Sequence, residues 1–173
     1  MGKRLLIIQP SHYRSKSDLT PHKTKRRNLV GLTLPYLAAL TPPDWDVGLV
    51  DEQLMDIDFN APADLIAISA WTINSFRAYE IGDAFRKRGI PVIMGGPHTY
   101  FYGEESAEHC DAVGIGEAET IWRVMLEDAA SLRLKKFYRA EQLQDLTGLP
   151  MPRHNLLDLG KYGFIKTFSV QSS

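Results

Sequence analysis

The sequence has one cysteine, Cys110, in 173 residues. That excludes a disulfide framework, a cysteine-based zinc site and an iron–sulfur cluster built from this segment. There is no charge of one dominant sign. Twenty Lys and Arg stand against 21 Asp and Glu, for a net charge of −1. No global electrostatic attraction toward nucleic acid or an anionic membrane follows from such a balance. No apolar run approaches the roughly 20 residues that a membrane span needs. The opening MGKRLLIIQPSHYR lacks a small-residue cleavage site and reads as a buried strand, not a signal peptide. The cytoplasm is the simplest compartment for such a chain. Internal repeats and low-complexity segments are also missing.

What is present is a globular composition, 44% hydrophobic and 24% charged, enough for a real core. Apolar runs alternate with helical periodicity. RLLIIQ (4–9) reads as a first strand, bounded by Pro10. WDVGLVDE (45–52) is a second, and DLIAISAW (64–71), apolar on both faces, a third. PVIMGG (91–96) and DAVGIG (111–116) are the fourth and fifth. Between them fall a short helix with Pro35 in its first turn and a helix over 74–88, capped by Asn74 or Ser75 and ended by Gly89. A short helix over 103–110 and one from Glu119 to about Leu132 complete the set, the last with Ile121, Trp122, Met125 and Leu126 inward. This alternation predicts right-handed βαβ units in a five-stranded, doubly wound parallel sheet. The expected order is flavodoxin-like (Rossmann-like), 2-1-3-4-5.

The domain division expected is an α/β domain over 1–132 and a linker with the start of another domain over 133–173. KKFYRA allows a short strand. The terminal KTFSVQSS has a strand pattern and no partner after it, which reads either as a frayed tail or as the start of a second domain. The loop SHYRSKSDLTPHKTKRRN carries six Lys and Arg against one Asp. It is long for a strand-to-helix connection. It reads as a solvated segment or as one that contacts phosphate, amide side groups or another domain.

In open α/β sheets ligands bind beyond the carboxyl ends of the strands. Those ends present Pro10, Ser11 and His12 after strand 1, and Ser69, Ala70, Trp71 and Thr72 after strand 3. Gly95, Gly96, Pro97 and His98 follow strand 4, and Gly114, Gly116 and Glu117 follow strand 5. The glycines either permit tight turns or remove side chains where a ligand must touch backbone. Other doubly wound chemistries fail at these positions. A phospho-acceptor receiver needs acids after strand 1 and an Asp after strand 3, where Gln9-Pro10 and Ser69 stand. SHYRSKS has no glycine for a flavin phosphate loop. GIGEAE (114–119) lacks the third glycine of a dinucleotide fingerprint and comes at the last strand. No GK[ST] loop exists, and Ser69 has no nucleophile-elbow signature.

An ordered set of segments remains. It comprises the proline loop after strand 1, GLTLPYLAA (31–39), Ile68-Ser69, Gly95-Gly96-Pro97-His98 and Glu104-Glu105. It continues with Asp111-Ala112-Val113, Gly116-Glu117-Ala118-Glu119, Leu149-Pro150-Met151-Pro152 and Phe168 to Ser173. Together these resemble the N-terminal cobalamin-binding domain of B12-dependent radical SAM enzymes. The resemblance implies a cobalamin at the carboxyl edge, its nucleotide tail running past Ser69 and Gly95-Gly96, with Gly114–Gly116 flanking the lower ligand. It implies a [4Fe–4S] cluster and S-adenosylmethionine in a following radical SAM domain, the expected partner, with neither a catalytic residue nor a metal ligand in this segment. The full protein would transfer a methyl group to an unactivated carbon, or act as an oxidative cyclase. One departure stands out. The D-x-H-x-x-G motif of the histidine-ligated class is replaced by Pro10-Ser11-His12-Tyr13-Arg14-Ser15, so no protein histidine is expected on cobalt and His12 reads as a loop residue. Trp71 reads as packing or as a cover over the corrin ring, and His98 as a turn residue or a cofactor contact. The competing functions are a domain of the same fold that has lost cobalamin and serves as a scaffold, and a free-standing small-molecule sensor.

Overall fold

A computed structural model describes residues 2–141 and 147–169, apart from the Ile165 side chain. Six strands form one parallel sheet: β1 (Lys3–Gln9), β3 (Trp45–Asp51), β4 (Leu65–Ser69), β5 (Val92–Gly95), β6 (Ala112–Ile115) and β7 (Phe137–Arg139). Their order is β3-β1-β4-β5-β6-β7. The first five reproduce the expected 2-1-3-4-5, and the strand allowed at KKFYRA adds a sixth at the β6 edge.

Helices cover both faces. Along β4, Leu65 and Ala67 point to one face and Ile66 and Ile68 to the other, and all four are buried. The first face packs under α1 (Thr33–Leu40) and α5 (Ala118–Ala130), through Leu34, Ala38, Trp122, Met125 and Leu126. The second packs under α2 (Ser75–Lys87), through Ala78, Tyr79, Ile81 and Phe85. Helix α2 stops where the sequence predicts. Gly89 takes φ +76°, its N–H donates to the Arg86 carbonyl and the Ile90 N–H to Phe85. These two bonds close a Schellman motif.

Several local expectations are corrected. Asn74 and Ser75 do not cap α2. The Asn74 side chain is committed to the loops, and the Ser75 hydroxyl donates back to the Thr72 carbonyl. The helix predicted over 103–110 is α4 (Gly103–Glu108), preceded by an unpredicted α3 (Pro97–Phe101) with Pro97 at its first position. The basic loop ends in a short strand, β2 (Arg27–Val30). This strand pairs in parallel with β8 (Tyr162–Phe168), so the terminal strand has a partner, earlier in the chain than expected. Residues 170–173 of the predicted strand lie outside the described residues. No described helix is long and apolar enough to cross a membrane.

Gly82 shows how tightly the second face is packed. A Cβ there would sit 2.4 Å from the His109 carbonyl oxygen. Gly to Ala inside a helix ordinarily gains stability. Gly82→Ala is expected to lose about 1–3 kcal/mol instead, measured as a lower urea midpoint.

Candidate functional site

Parallel pairing brings every strand's carboxyl end to one edge of the sheet. Ser69 pairs with Gly95, and the β5–β6 register, Met94 beside Val113, carries the same row on to Gly114. Behind it lies the row of Ala67, Ile93 and Ala112, on the same face. Small residues in both rows lower the floor of the sheet beneath α1 and α5. The result is a slot of about 130 Å³, roofed by Leu37, Ile121, Trp122 and Met125. Ser69 is buried at this floor, and among the described residues its hydroxyl has no hydrogen-bond partner.

The glycines of this edge serve two purposes. Gly96 and Gly116 have φ of +102° and +94°. A Cβ on Gly96 would lie 2.7 Å from the Ala70 carbonyl oxygen, and one on Gly116 2.9 Å from the Ala140 Cβ. These two are demanded by the turns. Gly95 and Gly114 have no such strain. A Cβ on Gly95 would meet nothing closer than the Gly114 carbonyl oxygen at 3.7 Å, and one on Gly114 would touch Ile121 and Met125 at 3.3 Å. Their missing side chains are the slot.

A second cavity, of about 400 Å³, adjoins the first at Thr33. It lies over the ends of β1, β3 and β4 and is bordered by Leu29 of β2 and Tyr162 of β8. Pro10, His12, Trp71, Asn74 and Asp51 line it. Its frame is built on charge. Asp51 pairs with Arg27 at 2.6 Å. Next to it, Glu52 is 1% exposed and accepts the Ser11 N–H at 2.9 Å and the Arg77 guanidinium at 2.6 to 3.2 Å. Burial alone would loosen the proton on Arg77, but Glu52 and Glu80 outweigh it and hold the group charged. Asn74 completes the frame. Its amide oxygen accepts the Trp71 N–H and its amide nitrogen donates to the Pro10 carbonyl.

The predicted residues divide accordingly. Ser69, Gly95, Gly96, Gly114 and Gly116 meet at the slot, and Pro10, His12 and Trp71 at the larger cavity. Glu117 precedes α5 beside the slot, between its lining residues Gly116 and Ala118. Ala70 is buried behind the edge and bonds the Gly95 carbonyl and the His98 N–H. Ser11 turns its hydroxyl to the His12 and His22 carbonyls, and the His12 ring stacks on His22 at 5.0 Å. Thr72 and Pro97 are exposed and line neither cavity.

His98 is turned away from both cavities. It is buried, its Nε2 lies 2.7 Å from the Tyr79 hydroxyl, its Nδ1 3.3 Å from the Thr72 hydroxyl, and its ring stacks on Tyr102. Burial lowers its pKa from the ordinary 6.5, against an opposing pull from Glu105. The lone cysteine is inert. Cys110 is buried, and burial pushes its thiol up to about 12.

Sequence reading did not find the slot's roof at Leu37 or the carboxylate of Glu52. The roof residues on α5 were legible as an inward face. Nothing in WDVGLVDE separates the buried Glu52 from its neighbours.

No family model matches the chain. It is 42% identical over 116 residues, 66% of its length, to a bacteriochlorophyllide d C-8(2)-methyltransferase of Chlorobaculum tepidum, of which this covers 26%. It is 31% identical over 153 residues to a bacteriochlorophyllide d C-12(1)-methyltransferase of the same organism, covering 87% of the chain and 32% of that protein. A hopanoid C-2 methylase of Rhodopseudomonas palustris is 23% identical over 172 residues, 93% of the chain and 32% of that protein. These relatives are methyltransferases, and the chain matches about a quarter to a third of their length.

Two outcomes follow from the charged frame and the buried imidazole. Glu52→Gln takes away the buried anion facing Arg77 and leaves it only the more exposed Glu80, and is expected to cost about 3 kcal/mol in urea unfolding. His98 titrates with the opposite sign to a salt-bridged histidine. Its folded pKa lies below the unfolded 6.5, so its contribution is complete above that pH and is lost as pH falls through the folded value. Between about pH 7.5 and about pH 5.5, His98→Gln is expected to lose less stability than the parent chain.

Proposed function

We propose that this chain is the cobalamin-binding module of a methyltransferase of the B12-dependent radical SAM type. The observation that carries the reading is the slot under α1 and α5, floored by Ser69, Gly95 and Gly114. A cofactor with a flat base on a long tail needs a narrow, apolar cleft opening onto a wider space. The chain has this pair of cavities on the edge where doubly wound sheets bind ligands. The names of the relatives add methyl transfer. Their methyl acceptors differ, a bacteriochlorophyllide in two and a hopanoid in the third, so the comparison supports the reaction class more than any one acceptor.

In this reading the base of the tail enters the slot between the glycine floor and Ile121, Trp122 and Met125. Ser69 donates its hydroxyl to the tail. Pro10, His12 and Trp71 face the ring in the larger cavity, and the Glu52–Arg77 frame keeps the Pro10–Ser11 loop from collapsing into it. When bound, cobalamin supplies a transferable methyl group. The chain's own residues bind it, orient it and exclude water from its base. The iron–sulfur cluster and S-adenosylmethionine belong, in this reading, to a radical SAM domain outside this sequence.

The test is a visible-absorbance titration of the folded chain with hydroxocobalamin. Saturable binding is expected, weakened about tenfold or more by Gly95→Val, because a side chain there finds room only in the slot. Gly96 is a poor probe, since its positive φ rejects any side chain. A folded chain that binds no cobalamin would sink the proposal and favour a scaffold of the same fold.

A further inference from the structure

We infer that the slot selects corrinoids by the base on their nucleotide tail, favouring benzimidazole over a purine. This rests on the cobalamin reading above and concerns the polar groups that the slot can offer. Its roof is Leu37, Ile121, Trp122 and Met125, and its inner floor is Ala67 and Ile93. The one indole N–H in the roof is already given to the Thr41 hydroxyl at 3.0 Å. The backbone carbonyls of the glycine floor are taken as well. Gly95 accepts the Ala70 N–H at 2.8 Å, and Gly114 accepts the Thr99 hydroxyl at 2.7 Å. The other hydroxyl on the lining, Thr33, stands where the slot meets the larger cavity. Among the side chains of the lining, that leaves Ser69, buried at the floor with its hydroxyl unpartnered among the described residues.

One hydroxyl satisfies one ring nitrogen. A benzimidazole detached from its metal presents a single free ring nitrogen, and the rest of its surface is apolar. An adenine presents an exocyclic amine and several ring nitrogens. In this slot one of them would be met by Ser69 and the others would be buried without partners, which binding sites penalise steeply. A base that fills the slot between the glycine floor and Ile121 and Met125 displaces the waters that would otherwise serve those atoms.

The experiment titrates the full chain by visible absorbance with three corrinoids: cobalamin, the analogue carrying adenine in place of dimethylbenzimidazole, and cobinamide, which has no base. Cobalamin is expected to bind about tenfold or more tightly than either of the others. Ser69→Ala is expected to remove most of the margin over cobinamide and to leave cobinamide binding unchanged. Ile121→Gln, on a partly exposed position of α5, is expected to narrow the margin over the adenine analogue. Equal affinity for all three would overturn the selectivity and leave cobalamin binding standing. A chain that is folded by circular dichroism and binds none of them would overturn both.

Discussion

The carboxylate of Glu52 is the point on which the ligand edge depends. It follows β3, is sealed from water, and joins three separate pieces of chain: the loop after β1 through the Ser11 N–H, the end of β3, and helix α2 through Arg77. A buried ion pair gains little net stability over an apolar contact of the same shape. What it provides here is directional. An apolar contact would let the Pro10–Ser11 loop slide, whereas a carboxylate with an N–H on one oxygen and a guanidinium across both does not. Asn74 repeats this device one strand over, holding Trp71 and Pro10 with the two ends of one amide. The larger cavity is the space these two side chains hold open.

The slot beside it is made by subtraction. Each residue across Ser69, Gly95 and Gly114 has little or no side chain, while one row deeper Ile93 fills the sheet normally. The four glycines of this edge look alike in sequence and differ in cause. Gly96 and Gly116 obey the backbone, and Gly95 and Gly114 leave room. The first pair would be glycine in any protein with these turns. The second pair is where the cleft gets its width.

Much of this was legible in the residues. The alternation of apolar runs with 3.6-residue periodicity carries the sheet order, because parallel crossovers leave few arrangements. The same topology puts two glycine-ended strands side by side, which marks the edge before any coordinate is known. Other features were not legible, for physical reasons. Gly95 and Gly96 are separated by backbone torsion, which composition does not encode. Asp51 and Glu52 are adjacent acids, and only tertiary packing decides which one is sealed inside. His98 sits in a Gly-Gly-Pro-His turn that suggests a ligand contact, yet the first turn of α3 rotates it onto Tyr79. The strand β2 is four residues long and half of it is Arg and Asn, so it carries no period to read. Its partner supplies the reason it is a strand at all.

That partner has a consequence for the order in which the chain can assemble during synthesis. β1 and β3 to β7 are complete once residue 139 has emerged, and each can pair with a neighbour already made. β2 cannot. It is made second and waits for β8, which follows every strand of the larger sheet. Closing so long a loop is slow relative to local pairing. Through that interval the wall formed by Leu29 and Tyr162 does not exist, and the larger cavity stands open to solvent on that side. A nascent chain therefore has a stage, built into its topology, in which the carboxyl edge of the sheet is complete and this wall of the cavity is still missing.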